Sequence, residues 1–124
     1  MEIMKLIPTG KDYLWGGIRL REEYGKKIDL TALAETWECS VHPDGPSYVA
    51  NGIYKGEALV QVLQKHPEYI GTKAKNGKLP VLVKFIDAKQ DLSVQVHPDD
   101  AHAQEHEGDN GKIEMWYVLD ADEG

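Results

Sequence analysis

The sequence lacks a second cysteine. Cys39 is the only one, which excludes an internal disulfide and fits a protein of the reducing cytoplasm. No histidine can be named as the partner that would activate its thiolate, so we expect Cys39 to be a packed strand residue and not a nucleophile.

Basic residues and long apolar runs are also scarce. The 14 lysines and arginines against 21 acidic residues leave a formal net charge of −7. This balance argues against nucleic acid or an anionic membrane as partner, although a local basic cluster could still bind a phosphorylated small molecule. No stretch approaches the length of a membrane span, and the N-terminus lacks the pattern of a signal peptide. The predicted location is the cytoplasm.

The length of 124 residues suits one domain, residues 1–124, with a modest core. Short strand patterns joined by turns predict a mainly β fold, a jelly-roll barrel or sandwich with short helical insertions. We expect strands at 35–43, 47–50 and 80–87, the first two forming a hairpin and the third buried. Helices are expected at 21–27, at 57–66 and from 98 onward, with a polar loop at 69–79.

Two further predicted strands, residues 92–97 and 112–117, carry most of the polar chemistry. Side chains two apart project from the same face of a strand. This rule places on common faces Ser93, Gln95 and His97 in the first strand, and Lys112, Glu114 and Trp116 in the second.

Imidazole nitrogen and carboxylate oxygen are ordinary zinc ligands, and a carboxamide oxygen is a rarer one. If the two strands are neighbours, Gln95, His97 and Glu114 form a metal site that needs one more ligand. The alternative interpretation is a solvated polar strand face with one histidine.

Residues 102–106, HAQEH, match the H-x-x-E-H pattern of a group of zinc metalloproteases. The predicted helix is short and has almost no apolar face, which favours a solvated surface helix. Lys84 interrupts an apolar strand, and it either extends along the strand edge or points into a polar pocket as an anion ligand.

Residues 93–99, SVQVHPD, followed by 111–117, GKIEMWY, resemble the type I mannose-6-phosphate isomerases, also called phosphomannose isomerases. Further motifs of that family occur in the same order at residues 15–17, 38–43, 51–56 and 79–84. The resemblance implies a cupin-type β-barrel with a helical insertion. It also implies an incomplete site, because the family's fourth metal ligand, a histidine, and a catalytic arginine correspond to positions beyond Gly124.

The resemblance implies one bound Zn2+ held by Gln95, His97 and Glu114. It implies Ser93 and Lys112 as catalytic residues and Trp15 as a residue of the substrate pocket. With Lys84, whose place in an apolar strand suggests an anion ligand, the predicted substrate-binding set is Trp15, Lys84, Lys112 and Ser93. The reaction it implies is the interconversion of mannose 6-phosphate and fructose 6-phosphate, in which a proton moves between C1 and C2 of the open-chain sugar. Lys112 would hold charge on the reacting oxygen or relay protons.

Two other functions remain open. One is a non-catalytic cupin module that binds zinc or a phosphorylated hexose, and the other is the H-x-x-E-H protease. The 124-residue chain alone is expected to be weakly active or inactive, and its oligomeric state is left open.

Overall fold

The computed structural model describes residues 3–71, 78–108 and 111–123. The chain divides into two compact units, Met1–Leu92 and Ser93–Gly124. Of the polar loop expected at 69–79, residues 72–77 lie outside the described residues. None of the helices in the described ranges has the length and apolar composition needed to cross a bilayer.

Within the described part of the first unit there are five short strands: β1 (Leu6–Ile7), β2 (Thr9–Lys11), β3 (Glu35–Cys39), β4 (Tyr48–Val49) and β5 (Val83–Ile86). Strands β1 and β4 form a two-stranded antiparallel sheet, and β2, β3 and β5 form a three-stranded antiparallel sheet with β3 in the centre. The register sets Trp37 opposite Thr9 on one side and opposite Lys84 on the other.

The predicted hairpin between residues 35–43 and 47–50 is wrong, although its turn forms. The Gly45 amide donates to the His42 carbonyl at 3.1 Å, and the Ser47 amide donates to the Ser40 carbonyl at 2.9 Å. The chain then leaves β3, and β4 pairs with β1. Because β2 and β5 already occupy both edges of β3, β4 has no free edge of β3 to join.

The predicted buried strand at 80–87 forms as β5, but it is not buried. Val81, Leu82 and Val83 are all exposed. Strand β5 lies at the edge of its sheet with β3 on one side only, so its residues are covered less than those of the central strand.

Helix α1 (Arg19–Glu22) is shorter than the predicted 21–27 and begins earlier, and the chain turns away at Gly25 with φ of 66°. Helix α2 (Leu59–Lys65) confirms the helix predicted at 57–66. It buries Leu59, Val62 and Leu63 and ends at His66, as expected before a proline. Two short 3₁₀ segments, Gly52–Tyr54 and Pro67–Ile70, lie on either side of it.

The core of the first unit combines side chains from the central sheet, α2 and the segments beside them. Its buried apolar members are Leu20, Leu33, Ala34, Trp37, Val49, Leu59, Val62 and Leu63. Cys39 is half-buried in β3, and burial raises the pKa of its thiol. The thiol is therefore protonated at neutral pH, as expected of a packed cysteine.

The second unit contains helix α3 (Asp100–His106). This confirms the helix predicted from residue 98 onward. The Asp99 side chain caps it by accepting from the His102 amide at 2.9 Å. Ala103 is its buried residue.

The predicted strands at 92–97 and 112–117 are wrong, because neither segment has regular secondary structure. A strand needs a neighbouring backbone to satisfy its amides and carbonyls, and no strand pairing among the described residues includes these segments. Their apolar residues, such as Val94, Val96, Ile113 and Met115, are almost fully exposed. No buried apolar face therefore holds either segment in a sheet.

Candidate metal and active site

The carboxylate of Glu114 is the centre of a polar cluster in the second unit. His97 Nε2 lies 3.0 Å from Glu114 Oε2. Lys112 Nζ donates to the other oxygen, Oε1, at 2.6 Å. The Trp116 indole Nε1 donates to Oε2 at 3.4 Å. The structure thus brings one carboxylate, one imidazole and one ammonium together without a regular strand.

This environment changes the acidity of Glu114. The hydrogen bond from the Lys112 ammonium, followed by that from His97, lowers the pKa of the Glu114 carboxyl to about 2, against the opposing effect of burial. The carboxylate is consequently ionised at any physiological pH, which is the form that binds a cation.

Ser93 and Gln95 contact each other, since the Gln95 amide Nε2 donates to Ser93 Oγ at 3.0 Å. Two residues that are two positions apart therefore project to the same side, as the alternation predicts. With its nitrogen used in this way, the Gln95 amide oxygen is the atom that remains to accept or to coordinate.

The donor atoms of His97 and Glu114 are close enough to bind one zinc ion, and their separation is also that of the hydrogen bond that joins them. Zinc bonds to nitrogen and oxygen of about 2.0–2.2 Å in a tetrahedral arrangement place two donors roughly 3.3 Å apart. The observed 3.0 Å differs by only a few tenths of an ångström. Within the described ranges, no cluster of three or more His, Cys, Asp or Glu side chains is arranged to hold a metal. The third protein ligand predicted from the sequence is the Gln95 oxygen.

Lys84 belongs to the first unit, where it is half-buried against the central sheet. Its ammonium lies 3.1 Å from Glu35 Oε2 and 4.6 Å from the centre of a Trp37 ring. This contact pairs the Lys84 charge with a buried carboxylate on the neighbouring strand, and the role of Lys84 as an anion ligand stays a prediction.

Glu35 is a residue whose importance the sequence analysis missed. It is buried and also accepts from the Trp37 indole at 2.7 Å. The sequence offered one indication of this role, since Glu35 is a charged residue at the start of a strand and lies two positions before Trp37. The contact with Lys84, however, depends on the register between β3 and β5, which a local pattern does not give.

Trp15 is half-buried in the first unit, and its ring stacks on Tyr13 with centroids 5.5 Å apart. The Trp15 carbonyl accepts from the backbone amides of Lys89 and Gln90 at 2.9 and 3.1 Å. These bonds attach the loop that carries Trp15 to the segment following β5.

Asp87 was also missed. Its carboxylate accepts from the Arg19 amide at 2.8 Å, and its carbonyl accepts from the Gly17 amide at 3.1 Å. A Cβ at Gly17 would lie 2.3 Å from Asp87 Oδ2, so the glycine is what allows this close approach.

His102 and His106 lie on the exposed side of α3, with ring centroids 4.3 Å apart. The His106 ring has a carboxylate neighbour, with Glu105 Oε2 3.8 Å from His106 Nε2. This arrangement agrees with the predicted surface helix and lacks the buried setting of a protease centre.

The family model and the relatives that match this chain all belong to one family. Residues 3–122 match the family described as "Phosphomannose isomerase type I, catalytic domain". The chain is 50% identical over 111 residues to the mannose-6-phosphate isomerase of Streptococcus mutans, covering 90% of this chain and 35% of the relative. It is 49% identical over 117 residues to the probable mannose-6-phosphate isomerase GmuF of Bacillus subtilis, covering 93% and 36%. The chain thus spans about a third of the length of the curated relatives it matches.

Solved structures that resemble this chain belong to the same family. The crystal structure of mannose 6-phosphate isomerase from Bacillus subtilis is 42% identical with a TM-score of 0.80, over 87% of this chain and 34% of the other. The Salmonella typhimurium enzyme bound to fructose 6-phosphate and zinc is 29% identical with a TM-score of 0.67, over 85% and 27%. These likenesses confirm the predicted fold class, mainly β and cupin-like with short helical insertions. The chain belongs to the type I phosphomannose isomerase family.

Proposed function

We propose that this chain contributes to a zinc-dependent aldose–ketose isomerase that interconverts mannose 6-phosphate and fructose 6-phosphate. Family membership supports the reaction. A related enzyme with zinc and fructose 6-phosphate bound supports the metal and a phosphorylated hexose as substrate.

The observation that carries the proposal is the position of Glu114 between His97 and Lys112. One oxygen of this carboxylate faces an imidazole nitrogen at a separation suited to a shared ion, and the other is held by an ammonium. Such a carboxylate can act as a one-oxygen metal ligand while it fixes a cationic side chain close by.

In this proposal His97, Glu114 and Gln95 hold the zinc ion. Bound there, the zinc ion would supply positive charge that opposes the negative charge developing on a sugar oxygen as the C2 proton leaves.

Lys112 is the catalytic cation of the chain itself. It is exposed and has donors beyond the one directed to Glu114, since an ammonium carries three. It would donate to the reacting oxygen and help retain charge there during proton transfer between C2 and C1. The Ser93 hydroxyl accepts one hydrogen bond, from Gln95. Its own O–H and its second lone pair remain to donate to, or accept from, a hydroxyl of the sugar.

Trp15 and Lys84 are proposed as substrate-binding residues. The ammonium of Lys84 has one carboxylate partner, Glu35, and two further donors that could be directed to a phosphate oxygen. The half-buried indole of Trp15 offers an apolar wall for a sugar ring. The cytoplasm is the proposed location, and one domain the proposed organisation.

The direct test is a coupled assay of fructose 6-phosphate formation from mannose 6-phosphate. The chain alone is expected to give weak or no turnover. We therefore also test a chimera in which this chain replaces the matching segment of the Bacillus subtilis enzyme ManA, to which it is 41% identical over 114 residues. Turnover by the chimera should disappear with a chelator and return with zinc.

His97→Ala in the chimera should lower kcat/KM by about 100-fold or more, since even the loss of a side chain that only orients a metal ligand costs about 10–100-fold. His42→Ala is the matched control and should retain activity. Chelator-resistant turnover would argue against the zinc role. Binding of zinc or phosphorylated hexose without turnover, in a chimera that folds, would favour the non-catalytic module.

A further inference from the structure

Two histidines on one face of α3 form a pair that the proposed reaction does not use. His102 and His106 are four residues apart, so they are neighbours on the helix surface. Their ring centroids are 4.3 Å apart with the ring planes tilted by 45°. Both side chains are exposed, which leaves the rings able to turn toward a common ion from solvent.

The backbone that carries the pair is held in place on the second unit. Asp99 caps the first turn through the His102 amide. Asp100 Oδ1 accepts from the Gly111 amide at 2.9 Å, and Ala103 packs its side chain inward. The helix therefore presents both imidazoles without first having to be formed by the ligand.

The chemistry of the donors defines the ligand. Neutral imidazole suits Zn2+, Cu2+ and Ni2+, whereas Mg2+ and Ca2+ prefer oxygen. Glu105 adds negative charge, with Oε2 3.8 Å from His106 Nε2. The described residues hold no cluster of three or more His, Cys, Asp or Glu side chains arranged around one ion, so water would complete the coordination sphere.

We propose that His102 and His106 chelate one transition-metal ion of this borderline class, as a site separate in its ligands from His97 and Glu114. The inference does not depend on the proposed isomerase activity. A two-imidazole chelate binds more weakly than a site with three or four protein ligands. Occupancy would link two successive turns of α3 and stabilise that helix.

The test uses Ni2+ alone as the probe, with binding followed by calorimetry. To remove the other candidate donor set, all measurements are made in the His97→Ala background. That protein should still bind Ni2+ near neutral pH. Binding should be lost on acidification, because imidazole must be deprotonated to coordinate.

Adding His102→Ala or His106→Ala to the His97→Ala protein should weaken Ni2+ binding by about tenfold or more, the effect typical of a lost contribution to a metal site. Gln104→Ala, on the same helix, and His42→Ala, in the first unit, should leave the affinity unchanged. Unchanged affinity in both His102 and His106 variants would overturn the proposal.

Amide hydrogen exchange provides a readout independent of affinity. Saturating Ni2+ should slow exchange in α3 of the His97→Ala protein, because a ligand that binds only the folded helix stabilises it. The slowing should vanish in the His106→Ala variant. Slowing confined to residues 93–97 and 112–117 would contradict the assignment to α3.

Discussion

Three neighbours of different chemistry contact the Glu114 carboxylate and set its pKa. Lys112, His97 and Trp116 all direct nitrogen atoms at its two oxygens. The first of these contributes most to the lowering of the Glu114 pKa. Because a depressed folded-state pKa favours the folded protein only while the group is ionised, this stabilisation is complete above the ordinary value of 4.5. It is lost as the pH falls toward about 2.

We predict that the Glu114 carboxyl of the metal-free protein titrates near pH 2, and that Lys112→Met raises its pKa toward the ordinary value. The reason is that the substitution removes the dominant hydrogen bond and positive charge. NMR titration of the side-chain carboxyl resonance measures both. Lys89→Met, a substitution in the first unit, should leave the Glu114 titration unchanged. An unshifted midpoint in Lys112→Met would mean that this contact does not hold the carboxylate in solution.

At the residue level, the spacing of polar side chains predicted which of them share a face. Ser93 with Gln95 and Lys112 with Glu114 are pairs two positions apart, and the structure joins each pair by a hydrogen bond or ion pair. The burial of Glu35 beside Lys84 could not be predicted in this way. It depends on the register between β3 and β5, which sequence-local patterns do not encode.

Among the elements, β3 determines the order of the others. Its central place in the three-stranded sheet explains why β4 joins β1 despite a turn suited to a hairpin. The Ser47 hydroxyl donates to the Trp37 carbonyl and accepts from the Ser40 amide, both at 3.0 Å. These bonds satisfy backbone groups of β3 where its register shifts between Trp37 and Cys39.

Gly16, in the loop before α1, lies against Ala34, the residue that precedes β3. A Cβ there would lie 2.3 Å from Ala34 Cβ and 2.5 Å from Ala34 Cα. Since backbone cannot move aside cheaply, we predict that Gly16→Ala destabilises the protein by about 1–3 kcal/mol. The measurement is the midpoint of urea unfolding. Gln64→Ala, on the exposed side of α2, is the control and should change stability by less than about 0.5 kcal/mol. An unchanged midpoint for Gly16→Ala would contradict the close approach.

The elements that could be predicted are those with a strong local pattern. Helix α2 follows from its apolar stripe, and α3 from the proline and the two aspartates at its start. The segments at 92–97 and 112–117 have an equally clear alternation but form no strand. The alternating pattern predicts which side chains share a face. A strand also needs a neighbouring backbone to pair with, and other residues that bury its apolar face. Val94 and Ile113 have no such cover among the described residues.

At the scale of the whole molecule, the chain corresponds to one part of a family domain. It matches a type I phosphomannose isomerase catalytic domain over nearly its full length, while it spans about a third of its curated relatives. The net charge of −7 makes local cations such as Lys112 and Lys84 important for any anionic substrate, because the overall field repels it.

The central claim is that His97 and Glu114 bind one zinc ion together. The most direct measurement is a calorimetric zinc titration of the chain in a His102→Ala, His106→Ala background, which removes the pair on α3. We predict one zinc ion per chain, with affinity lowered by about tenfold or more by either His97→Ala or Glu114→Gln, and unchanged by His42→Ala. Zinc affinity that is unaffected by both His97→Ala and Glu114→Gln would contradict the claim.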